Sequence, residues 1–79
     1  MDPYEVKKRY RDFLMSLPNV VGVGVGPKVV SSKITAPLAV KVYVRTKVPL
    51  HLLAEQERIP RELDGVPTDV EEQAPLRAG

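Results

Sequence analysis

From Val21 to Gly26 the chain alternates valine with glycine: Val21, Gly22, Val23, Gly24, Val25, Gly26. A period of two with β-branched residues specifies a strand. The valine side has side chains to bury. The glycine side has none, so another element can lie directly on the backbone there. Whatever covers that bare face determines much of the fold. The nearest candidate is an N-terminal helix that lays Tyr10 or Phe13 on the glycines. With 79 residues the chain has room for one small core. A domain of this size buries only about 60% of the surface its unfolded chain exposes. The sequence therefore predicts one domain over residues 1–72, followed by a tail over 73–79.

Asp2-Pro3-Tyr4-Glu5 reads as a helix start. Asp2 can cap, Pro3 suits the first helical position, and Glu5 sits where a capping box places it. Val6, Tyr10, Phe13, Leu14 and Leu17 follow at helical spacing and form one apolar stripe. Lys7, Lys8 and Arg11 fall on the other face. Pro18 disfavours helical geometry at Leu17 and ends the helix. The predicted helix spans about residues 3–17.

Residues 31–37 are polar and turn-like, and Leu38–Arg45 is the clearest second strand. Leu38, Val40, Val42 and Val44 are expected to face the core, with Ala39, Lys41, Tyr43 and Arg45 on the opposite face. The two strands should pair as an antiparallel hairpin. Residues 49–57 have the pattern of a short helix, or of an extended crossover. Ile59–Leu63 looks extended and turns at Asp64-Gly65. Val66–Glu71 reads as a third strand, which Pro67 assigns to a sheet edge. The order is α-β-β-(α)-β, an α+β fold with helices on one face of a small sheet. The second and third strands would be parallel, joined by a right-handed crossover. The first strand could lie between them, in split-βαβ fashion.

Several chemistries are excluded or weakly supported. The chain has no cysteine and one histidine, His51. Disulfides, thiolate metal sites, cysteine nucleophiles and multi-histidine metal sites are therefore out. Gly22, Gly24 and Gly26 miss the dinucleotide fingerprint, because Pro27 stands where a glycine is required and no helix follows. His51 lacks room for a triad with a substrate cleft. Asp64, Asp69, Glu71 and Glu72 form an acidic stretch, but Val66-Pro67 interrupts the spacing a calcium loop needs. The sequence thus predicts no enzyme, no metal and no cofactor. No apolar run reaches the ~18 residues of a membrane span. The start, MDPYEVKKRYRDF, has no signal-peptide core. A cytoplasmic protein that does not enter the membrane is expected.

Charge is unevenly placed. Residues 1–47 carry a net +6 and residues 48–79 a net −4. The basic helix face (Lys7, Lys8, Arg11) and the strand trio Lys41, Tyr43 and Arg45 make a candidate interaction surface. Nucleic-acid binding needs such a patch with exposed aromatics. Only Tyr43 is available once Tyr10 and Phe13 are assigned to the core, so nucleic acid is the weaker alternative. A valine-rich sheet with an uncovered edge also admits self-association into a homodimer.

Three stretches carry a family resemblance: residues 17–28 (LPNVVGVGVGPK), 38–49 (LAVKVYVRTKVP) and 57–72 (ERIPRELDGVPTDVEE). In this order they resemble the N-terminal region that precedes the trypsin-like serine peptidase domain in Nal1-like bacterial proteins. The Ile59–Val70 stretch is the most specific. The resemblance covers about residues 14–76 and stops short of the peptidase, so it carries over no catalytic residue. It implies a non-catalytic accessory module whose partner is a trypsin-like peptidase, in cis or in trans. A propeptide role would place the tail, with Leu76 and Arg77, at that peptidase's active site.

Overall fold

The structure is a computed structural model and describes residues 2–31 and 33–73. Helix α1 spans Pro3–Ser16. The Asp2 carboxylate accepts the Tyr4 amide at 3.0 Å, and Pro3 occupies the first turn, where no amide partner is needed. Glu5 adds a negative charge at the positive end of the helix. Leu17 is already extended ahead of Pro18, and its amide donates to the Leu14 carbonyl.

Strands β1 (Val20–Val30), β2 (Lys33–Val44), β3 (Glu62–Leu63) and β4 (Val66–Glu72) form one mixed sheet in the order β1-β2-β4-β3. β1 and β2 are antiparallel, β2 and β4 parallel, and β3 and β4 antiparallel. The α+β class and the parallel pairing of the second long strand with the C-terminal strand agree with the sequence reading. The strand order corrects it, because β2 is central and β1 forms the outer edge. Gly22, Gly24, Gly26 and Pro27 make β1 a poor central strand, which would need side chains on both faces and every amide in a ladder. β2 supplies what a central strand needs, with Ala39, Val40, Lys41, Val42 and Val44 all buried.

The C-terminal strand is not a bare edge either. Leu63 pairs with Val66 and Glu62 with Pro67, and the Thr68 amide donates to the Arg61 carbonyl at 2.9 Å. The turn between β3 and β4 has positive φ at Asp64 (51°) and Gly65 (82°). A two-residue hairpin turn of the primed type requires this, and Asp-Gly is a preferred pair for it. Residues 49–57 hold no α-helix. Two 3₁₀ turns, Leu50–Leu52 and Glu55–Glu57, occupy the crossover. The segment is too short between Pro49 and Pro60 to repay helix nucleation.

The core lies between α1 and one face of the sheet. Val6, Leu14 and Leu17 meet Val40, Val42 and Val44, and Leu63 and Val66 close one end. Tyr10 and Val23 pack against this cluster. Two expected core residues lie outside it. Phe13 is 46% exposed, and Leu38 sits beyond the core at 37%. At about 100° per residue, Phe13 lies about 60° off the line through Tyr10, on the flank of the stripe.

Candidate functional site

The glycine face of β1 is turned away from α1. A Cβ at Gly22 would stand 3.6 Å from Tyr43 Cδ2, and one at Gly24 would stand 3.4 Å from Tyr43 Cε2. One at Gly26 would meet Lys41 Cγ at 3.6 Å. The covering residues are therefore Tyr43 and the Lys41 stem from the next strand, and not Tyr10 or Phe13. Cross-strand neighbours are the nearest side chains available to a bare strand face. In the register of β1 with β2, Gly22 faces Tyr43 and Gly24 faces Lys41.

By the alternation along β2, Lys41 is predicted on an open face. It is 5% exposed. Its Nζ lies 2.6 Å from Asp69 Oδ2, 3.4 Å from Glu71 Oε2 and 3.2 Å from the Pro27 carbonyl oxygen, to which it donates. Asp69, 8% exposed, also accepts the Val29 amide at 3.0 Å. β1 and β4 are not neighbours in the sheet, so this bond requires the outer end of the hairpin to bend across β2. The register permits the bend. Pro27 pairs with Leu38 but Lys28 with Thr35, leaving residues 36 and 37 of β2 without partners on β1. The bent arm shields the lysine from solvent.

Burial pushes the Lys41 ammonium toward lower pKa, but the Asp69 hydrogen bond and the charges of Asp69 and Glu71 outweigh it. The net shift is upward. Burial likewise pushes the Asp69 carboxyl up. Lys41 and the Val29 amide outweigh that, aided by the Lys28 charge, and hold it below the usual carboxylate range. Both groups are thus fixed in their charged forms, with close partners.

A second cluster ties the helix to the β3–β4 turn. Tyr10 Oη donates to Asp64 Oδ1 at 2.9 Å, and Arg9 Nη1 donates to Asp64 Oδ2 at 3.0 Å. The Asp64 hydrogen bond leads in raising the Tyr10 pKa, since it stabilises the protonated phenol. A third junction involves Asn19, whose φ is +75°. Its side chain donates to the Thr46 carbonyl and accepts the Thr46 amide at 3.1 Å, and its carbonyl accepts the Arg45 amide. Asn tolerates this left-handed geometry and caps the end of β2. Asn19 and Asp64 adjoin recognisable turns, but nothing in the sequence names their distant partners.

The six candidate surface residues do not form one patch. Lys8 and Arg11 are exposed on α1, with Lys7 half-buried beside them. Tyr43 is half-buried and Lys41 buried on the opposite side of the sheet. Arg45 is exposed just past the end of β2. Leu76 and Arg77 lie outside the described residues. His51 is exposed on the first 3₁₀ turn. Among the described residues, no three His, Asp or Glu side chains are grouped as metal ligands. No described helix is long and apolar enough to cross a membrane.

Among the described residues, the outer edge of β1 has no strand beside it. This eleven-residue strand ends the sheet, and α1 packs chiefly against it. On comparison with known proteins, the chain matches no family model and no curated protein.

Proposed function

We propose that this chain is a non-catalytic protein-interaction module that engages a partner through the edge of its sheet. The observation that carries the reading is the position of β1: eleven residues long and, among the described residues, outermost in the sheet and paired on one side only. Pro27 has no amide and the Val29 amide is taken by Asp69, so it is the regular Gly22–Gly26 stretch of this edge that presents donors and acceptors another extended chain can satisfy. The sequence resemblance to the region preceding trypsin-like serine peptidase domains supports such a peptidase as the partner. The accessory reading also agrees with the way the titratable pairs are used. Lys41–Asp69 and Arg9–Asp64 each join distant parts of the fold.

The test is to mix the chain with a trypsin-like peptidase domain whose own preceding region carries the Ile59–Val70 pattern. Complex formation is read by size-exclusion chromatography with light scattering, and amide exchange maps the contact. A complex with slowed exchange along β1 is expected. If the two proteins elute separately and β1 exchange is unchanged, the peptidase reading fails. The same measurement without residues 74–79 separates the edge from the tail. Loss of binding on deletion would transfer the role to Leu76 and Arg77.

A further inference from the structure

The helix gives the β1 edge a chemical character. Arg9 extends from α1 toward Asp64, at the β3–β4 end of the sheet. At about 100° per residue, Lys7 and Arg11 each lie about 160° around the helix from Arg9. They therefore occupy the opposite flank, above the side of the sheet that ends in β1. Lys7 is half-buried there, as a side chain at the margin of the helix–sheet contact should be. Arg11's only ion pair among the described residues is with its neighbour Asp12, at 3.6 Å, with both side chains exposed. On the other face, β1 offers bare Gly22 and Gly24 with the Tyr43 ring lying over them.

From this placement we infer that the ligand of the β1 edge is an extended acidic segment of another protein. It adds as a fifth strand along Gly22–Gly26, past the register irregularity at Val21, with carboxylates toward Lys7 and Arg11 and small apolar side chains toward the glycine face. Successive side chains of a strand alternate between faces, so a segment alternating Glu or Asp with Val or Thr meets both requirements. Pro27 limits the docking stretch at its far end, since it has no amide and its carbonyl accepts from Lys41. A second copy of this chain fits the edge less well. Antiparallel pairing of two β1 edges about a twofold axis would place both helices on one face, with their Lys7 and Arg11 flanks facing each other. Like charges so placed oppose the contact.

This inference rests on the edge-binding reading, and its test is kept separate from the peptidase. The probes are two capped heptapeptides, acetyl-TVEVEVT-amide and acetyl-TVKVKVT-amide, titrated into the ¹⁵N-labelled chain. The glutamate peptide is expected to bind at least tenfold more tightly than the lysine peptide, and to shift and protect amides within Gly22–Gly26. The double variant Lys7→Glu/Arg11→Glu should reverse that preference. Lys7→Gln/Arg11→Gln, which introduces no new charge, should abolish it. Equal binding of the two peptides, amide shifts away from β1, or a peptide-free dimer that protects β1 would each overturn the inference. If the glutamate peptide fails while a peptidase domain binds elsewhere on the chain, the acidic-strand inference falls and the accessory role stands. If the peptide binds and the peptidase does not, the inference stands and the choice of peptidase falls.

Discussion

Burial of the Lys41 ammonium carries a desolvation cost that only close partners offset. Asp69, Glu71 and the Pro27 carbonyl supply that offset. Removing one partner should therefore be worse than removing both charges. Asp69→Ala leaves Lys41 buried with a partly exposed Glu71 as its one remaining carboxylate beside the Pro27 carbonyl, and it also strips the Val29 amide of its acceptor. A loss of about 2–4 kcal/mol is expected from urea denaturation. Lys41→Met/Asp69→Val retains apolar volume and should recover most of that loss. About 1 kcal/mol should remain, because the Val29 amide and the Pro27 carbonyl still lack partners. A double variant no better than the single would show that the charges themselves hold the hairpin arm. The pH dependence follows from the two shifts. Asp69 is lowered from 3.8, so its contribution is complete above that value and is lost as pH falls through the lower folded pKa. Lys41 is raised from 10.5, so its contribution is complete below that value and is lost as pH rises through the higher folded pKa. Unfolding free energy measured across pH should hold between these limits and decline beyond both. The double variant should show a shallower acid decline.

At the scale of elements, the glycines of β1 can be separated into what they permit and what they require. A Cβ at Gly24 would stand at 3.4 Å from the Tyr43 ring, an ordinary contact. Gly24→Ala should thus fold with a stability within about 0.5 kcal/mol of the parent. Gly24→Val sets two effects against each other. Strand propensity favours valine by at most about 1 kcal/mol. Its extra methyl groups must displace the Tyr43 ring, an overpacking cost of about 1–3 kcal/mol. The ring term should win, with a net loss of about 1 kcal/mol and a changed Tyr43 environment in the near-ultraviolet circular dichroism. A more stable Gly24→Val would mean that Tyr43 does not rest on β1. Local signals made these elements legible. The Asp2-Pro3 start, the valine periods of β1 and β2, and the Asp64-Gly65 turn each depend on neighbours within a few residues. The occupant of the glycine face and the burial of Lys41 depend on register. A glycine face can receive a helix or a cross-strand side chain equally well by pattern. Two extra β2 residues opposite Pro27-Lys28 decide that the hairpin bends over Lys41. The acceptor at Asp69 lies 28 residues away in sequence, beyond the reach of any period.

Across the whole molecule, the charge asymmetry of the sequence becomes an internal attraction. The basic segment 1–47 builds α1, β1 and β2, and the acidic segment 48–79 contributes the crossover, β3 and β4. Lys41–Asp69, Lys41–Glu71 and Arg9–Asp64 each join one segment to the other. These pairs differ in their exposure to salt. Arg9–Asp64 is largely solvated, and the Debye length of about 10 Å at 0.1 M screens pairs of that kind. Lys41–Asp69 is shielded by the hairpin arm and should be nearly indifferent to salt. Raising sodium chloride should therefore lower stability by less than about 1 kcal/mol, the scale of an exposed pair. Arg9→Ala should remove most of that dependence, while Asp69→Ala should leave it intact. The Tyr10–Asp64 hydrogen bond remains in Arg9→Ala, so the helix should stay docked on the turn and the variant should keep the parent's far-ultraviolet spectrum. A salt dependence that vanished in Asp69→Ala instead would place the screened attraction at Lys41, and would show that the arm over β2 opens to solvent.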